Sequence, residues 1–94
     1  MMRRMATRRI LVSMELISPE GYRMQFDEKG WHLLNRRQLG EAEREKALAL
    51  CDTAEDCLPP VDEVTLAPPT LHEIGEFAAK TLGLRITHHH FKQK

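Results

Sequence analysis

Residues 10–34 read ILVSMELI-SPEG-YRMQF-DEKG-WHLL, and this stretch decides the fold. In its first eight residues the side chains of Met14 and Leu16 alternate with those of Ser13 and Glu15, which is the period of a β-strand with one buried face. Residues 22–27 repeat the pattern, with apolar and polar side chains at alternate positions. The sequence therefore predicts two strands, over residues 8–17 and 22–27.

Two short turns join these strands to a third. In the first turn Pro19 fixes its own φ near −65°, and Gly21 can adopt the left-handed conformation that closes a hairpin loop. A second turn at residues 27–30 leads into a strand over residues 31–34. The predicted cross-strand pairs are Leu16–Met24, Met14–Phe26, Phe26–Trp31 and Met24–Leu33. All of them lie on one face, so we expect a three-stranded antiparallel meander with one apolar and one polar face.

A helix follows the meander. Asn35 is predicted to be its N-cap, although arginines in the first turn oppose the helix dipole and place an alternative start near Gly40. Apolar residues at helical spacing predict a core-facing stripe on one helix that runs to about residue 57. Its members are Ala47, Leu50, Cys51, Ala54 and Leu58. Residues 59–69 form a proline-rich connection, with residues 64–66 as a short extended piece.

A second helix and a last strand complete the chain. Thr70 and Glu73 form a capping box, and Gly83 is placed to end the helix. The predicted core stripe of this helix comprises Leu71, Ile74, Phe77, Ala78 and Leu82. The strand covers residues 84–91, with Leu84, Ile86, His88 and His90 expected on one face.

These elements predict one small α+β domain over residues 1–94, in the order β-β-β-α-α-β, with residues 1–7 as a flexible basic arm. The 94 residues contain no apolar run long enough to cross a membrane. Two cysteines cannot form a disulfide framework, and we therefore expect a cytoplasmic protein.

The formal net charge of zero hides a charge pattern along the chain. Residues 1–40 hold eight basic and four acidic side chains (+4), residues 41–63 hold two and eight (−6), and residues 64–94 hold four and two (+2). The basic side chains that are candidates for contact with a partner are Arg3, Arg4, Arg8, Arg9, Arg36 and Arg37. The acidic segment would repel phosphate unless it faced away, which favours pairing between charged zones over a dedicated nucleic-acid surface.

The histidines offer only weak candidates for chemistry. His72 and Glu73 begin a sequence like the zinc helix of metalloproteases, but Glu76 stands where the second histidine is required. On a strand His88 and His90 share one side, so we expect at most a weak zinc site there. The face that carries His72 and Glu76 is expected to turn away from the apolar stripe of its helix, toward solvent. Cys51 and Cys57 lack the spacing of a zinc ribbon.

The sequence therefore indicates no catalytic residue and no cofactor. It favours a non-enzymatic interaction module, a regulator, adaptor or inhibitor that binds a protein partner. Nucleic-acid binding through the six arginines is the alternative. A small domain with a free sheet edge and complementary charged zones also favours a homodimer, with the N-terminal strand or the first helix in the interface.

Overall fold

The computed structural model describes residues 9–61 and 63–93, with Arg9 and Gln93 described by their backbone only. Its elements are β1 (Arg9–Ile17), β2 (Arg23–Asp27), β3 (Gly30–Leu33), a 3-10 turn (Arg36–Gln38), α1 (Glu41–Glu55), α2 (Leu71–Leu82) and β4 (Arg85–Gln93). The strands form one antiparallel sheet in the order β3-β2-β1-β4. The predicted α+β class and element order are confirmed, and the last strand joins the same sheet. The predicted flexible arm at residues 1–7 lies outside the described residues.

The meander has the predicted register. Gly21 has φ of +95°, which confirms the left-handed position in the first turn. Its amide donates to the carbonyl of Ser18 at 2.9 Å, and the Ser18 hydroxyl accepts from the amide of Tyr22 at 3.0 Å. All four predicted cross-strand pairs are present: Leu16–Met24, Met14–Phe26, Phe26–Trp31 and Met24–Leu33.

Asn35 stands at the N-cap position of the short 3-10 turn and not of α1, and its side chain makes no capping hydrogen bond, so the predicted start of the helix at Asn35 is wrong. Its Oδ1 accepts from the amide of Arg23 at 3.1 Å, and its Nδ2 donates to the carbonyl of Gly21 at 3.0 Å. The side chain therefore ties the start of β2 to the chain that leaves β3, and it is not available to cap a helix. α1 begins at Glu41 after Gly40, which is the alternative start.

The end of α1 and the following connection differ in detail from the prediction. α1 ends at Glu55, so Leu58 lies beyond the helix and is 58% exposed, while Ala47, Cys51 and Ala54 are buried as expected. Residues 63–65 form a turn, and Leu66 has φ of +56°. A left-handed residue cannot extend a strand, so the prediction of an extended piece at residues 64–66 is wrong.

α2 has the predicted ends, and most of its predicted stripe contacts the core. The capping box between Thr70 and Glu73 is present, and Gly83 ends the helix with φ of +71°. The buried residues are the small ones, Gly75, Ala78 and Ala79. The larger members of the predicted stripe are half-buried, and Leu71, Ile74 and Leu82 pack against the core. Small side chains let the helix axis approach the sheet closely, which the apolar spacing alone did not indicate.

β4 carries a bulge, and the side chains after it face the side of the sheet opposite to the one that a regular strand would give them. Glu15 pairs with His88 and Leu16 pairs with Ile86, so Thr87 is an extra residue on β4. Because neighbouring residues of β1 face opposite sides, His88 lies on the side opposite to Ile86. The predicted shared face of Ile86 with His88 and His90 is therefore wrong.

Both helices cover one side of the sheet. α1 packs over β3, and α2 packs over β1 and β4. Met14, Leu16 and Met24 are the largest fully buried side chains between these layers. The other side of the sheet remains open, as the polar alternation predicted. No helix in the described part of the chain is long and apolar enough to cross a membrane.

Candidate functional site

The four-stranded sheet continues at one end as a two-stranded ribbon. β2 pairs with β1 from Ser13 to Ile17 only, whereas β4 pairs with β1 from Arg9 onward. Residues 9–12 of β1 and 91–93 of β4 therefore extend past β2. Within the described residues they pair only with each other, and we call them the ribbon. A bulge at Val12, between the pairs at Leu11 and Ser13, separates the ribbon from the regular sheet.

The ribbon exposes apolar side chains together with strand edges. Ile10, Val12 and Phe91 are 42%, 39% and 43% exposed. The outer edge of β4 has no strand beside it along all nine residues, within the described part of the chain. Natural sheets usually shorten or cover such an edge, because its unpaired N–H and C=O groups attract other strands. The other edge strand, β3, has only four residues and is covered by α1 on one face.

The open face of the sheet is polar and centred on Glu15. Oε2 of Glu15 lies 2.7 Å from Nε2 of His90, and Oε1 lies 3.8 Å from Nδ1 of His88 and 3.6 Å from a guanidinium nitrogen of Arg23. The hydrogen bond with His90 is the main cause of a lowered pKa for Glu15. His88 and His90 share a side, as predicted, with their ring centroids 5.9 Å apart. Both histidines lie beside this carboxylate, and Nδ1 of His88 also lies 3.0 Å from the Thr87 hydroxyl.

A second histidine cluster lies on the helix side of the sheet. His72 and Glu76, one turn apart on α2, are 3.3 Å apart between Nε2 and Oε1. The ring centroid of His89 on β4 lies 5.7 Å from that of His72. One potential ligand atom from each of the three residues lies within 4.8 Å of the other two. His72 and Glu76 are exposed, as expected for this helix face, but His89 lies beside them, which the helical spacing did not indicate. The bulge at Thr87 brings His89 to the helix side, and a strict two-residue period could not reveal this.

The six candidate arginines do not form one surface in the described residues. Arg3, Arg4 and Arg8 lie outside those residues, and Arg9 begins β1. The two other arginines, Arg36 and Arg37, are exposed in the 3-10 turn that follows β3. Because β3 ends beside the start of β2 and the end of β1, this turn is at the opposite end of the sheet from Arg9.

Aromatic and thiol side chains are used mainly in the core. Tyr22, Phe26 and Trp31 are 4%, 7% and 8% exposed, so none of the three offers a stacking surface for bases. Cys51 and Cys57 are both free thiols. Burial raises the pKa of the Cys51 thiol to about 11, which is opposite to the shift that a nucleophilic cysteine requires.

Comparison with protein-family models, with curated proteins and with solved structures finds no match to this chain. The function is therefore inferred from the ribbon, the open face and the histidine cluster of α2 and β4.

Proposed function

We propose that this protein is a non-enzymatic interaction module, of the regulator, adaptor or inhibitor kind, that binds protein through the ribbon. The observation that carries this proposal is the combination of apolar exposure and unpaired strand edge at one end of the domain. Ile10, Val12 and Phe91 supply apolar contact area. The edge of β4 supplies backbone donors and acceptors for an added strand.

The first partner in this proposal is a second copy of the chain. Two identical strand edges can pair antiparallel about a two-fold axis, so that each copy satisfies the other. A two-stranded ribbon is only marginally stable alone in water, and pairing would give it further strands. A domain of 94 residues also has a small core, so apolar contact between copies adds a substantial fraction of its stability.

Charge does not select this edge pairing. Glu41, Glu45 and Asp52 are exposed on α1, which packs over β3 at the opposite edge of the sheet from β4. Exposed ion pairs contribute on the order of 0–1 kcal/mol each, so apolar side chains and paired backbone groups provide the binding energy of the proposed dimer.

The test compares two lysine substitutions at equally exposed apolar positions. Ile10 lies in the ribbon and is 42% exposed, and Leu34 lies at the far end of the sheet and is 41% exposed. By light scattering at micromolar concentration, we expect the unaltered protein and Leu34→Lys to have twice the mass of one chain. Ile10→Lys should have the mass of one chain. Equal masses for the two variants would contradict the proposal.

Nucleic acid is the alternative partner, and the same proteins test it. Neutralised phosphates release counterions, so binding through the arginines would weaken steeply with salt. Tight, salt-sensitive binding of a labelled single strand by an otherwise monomeric protein would replace the proposal with the nucleic-acid function. Charge reversal at Arg36 and Arg37 would then show whether nucleic acid binds at their end of the sheet.

A further inference from the structure

We infer that His72, Glu76 and His89 form a binding site for one zinc ion between α2 and β4. The inference does not depend on the proposed interaction function. Two imidazoles and one carboxylate are a ligand set that zinc takes in proteins when a fourth position stays open for water or another ligand. Among the described residues, these three offer potential metal-ligand atoms that all lie close to one another.

The distances fit tetrahedral zinc with little movement. Ligands about 2.1 Å from a tetrahedral zinc ion lie about 3.4 Å from one another. Nε2 of His72 and Oε1 of Glu76 already lie 3.3 Å apart. The remaining separations are at most 4.8 Å, so a rotation of exposed side chains brings the third ligand into range.

The local structure holds the ligands in place. His72 and Glu76 are four residues apart on α2, which places both on one helix face. The capping box at Thr70 and Glu73 fixes the first turn of that helix, from which His72 projects. His89 lies on β4 with its ring stacked at 6.2 Å from that of Phe91.

The contacts that each histidine cluster already makes favour zinc binding at the helix-side cluster over the open face. On the open face, the Glu15 carboxylate already lies within hydrogen-bonding distance of His90 and near Arg23. At the helix-side cluster His72 contacts Glu76 and the ring of His89, so zinc would replace exposed side-chain contacts with three coordinate bonds. Since the three side chains are exposed, the fourth position of the ion faces solvent.

Zinc should also stabilise the fold. Its ligands come from two elements that are separated by the end of α2 and the turn at Gly83. A metal that binds this arrangement and not the unfolded chain raises the melting temperature by mass action. We expect the melting temperature to rise with added zinc and to return to its original value when a chelator is added.

The experiment measures zinc binding by calorimetry with the full, untagged chain after treatment with a chelator. We expect one zinc ion per chain. His72→Ala and His89→Ala should each weaken binding by about tenfold or more, since even partners outside the ligand shell typically contribute this much. The matched control is the double variant His88→Ala/His90→Ala, which alters the same strand on its other side and should bind zinc as the unaltered chain does.

Several results would overturn the inference. They are an absence of zinc binding at micromolar concentration, undiminished binding by His89→Ala, or loss of binding in the double variant on the open face. Melting curves without zinc show whether each variant is folded. If His89→Ala does not fold, His89→Gln keeps a side chain of similar size and provides the same comparison.

Discussion

Replacing Gly75 with alanine tests the close approach of α2 to the sheet. A Cβ atom on Gly75 would overlap Sδ of Met14 and lie 2.9 Å from its Cε. Ordinary carbon contacts are about 3.5–4.0 Å, so the end of the Met14 side chain must move by about 1 Å. Met14 is fully buried, and the move therefore disturbs the packing around it.

Two opposing effects set the size of the change. Added atoms in a packed core cost about 1–3 kcal/mol, whereas alanine is favoured over glycine inside a helix by about 1 kcal/mol. The net expectation for Gly75→Ala is a loss of about 1 kcal/mol, which lowers the melting temperature of a domain this size by roughly 4–8 °C. Thermal unfolding followed by the fluorescence of Trp31, the single tryptophan of the chain, measures it.

Three further variants separate these effects. Ala49→Gly, at an exposed position within α1, measures the helix preference alone. Met14→Val removes Sδ and Cε, so the double variant Met14→Val/Gly75→Ala should be more stable than the sum of the two single changes predicts. If Gly75→Ala raises the melting temperature by as much as Ala49→Gly lowers it, then α2 does not approach the sheet as described.

Three other predictions follow from single positions. Gly21→Val should cost roughly 1–2 kcal/mol in a thermal melt, because valine is disfavoured at φ of +95°; an unchanged melt contradicts the turn. Tyr22, the only tyrosine, donates a hydrogen bond to Glu43, which raises its pKa from 10.0 to about 12. The stability from this contact should be present below pH 10 and lost as the pH rises toward 12, and a phenolate absorbance midpoint near 10 in the folded protein would refute it. Iodoacetamide should alkylate Cys57 before Cys51, which is buried with a pKa raised to about 11, and mass mapping of the modified residues checks the order.

The features that were predicted correctly depend on local rules. The register of the meander follows from the apolar alternation and the turn at Gly21, and both ends of α2 follow from Thr70, Glu73 and Gly83. Each of these signals depends on residues that are close together in the chain, so it can be recognised from the sequence alone.

The features that were missed depend on contacts between distant residues. Asn35 could cap a helix or bind strand backbone, and only the position of Arg23 and Gly21 decides between these uses. The bulge at Thr87 is set by pairing with β1, and it alone determines which histidines of β4 face α2. A strict two-residue period along this strand therefore could not show that His89 lies beside His72 and Glu76.

The proposed binding surface is tested most directly by amide hydrogen exchange at two protein concentrations. In the proposed dimer, peptides that cover the ribbon and the outer edge of β4 gain protection as the concentration rises, because their backbone N–H groups pair with the second copy. Peptides that cover β3, the other edge of the sheet, should exchange at the same rate at both concentrations. Exchange of residues 85–93 that does not change with concentration, or a gain of protection confined to β3, would contradict the account.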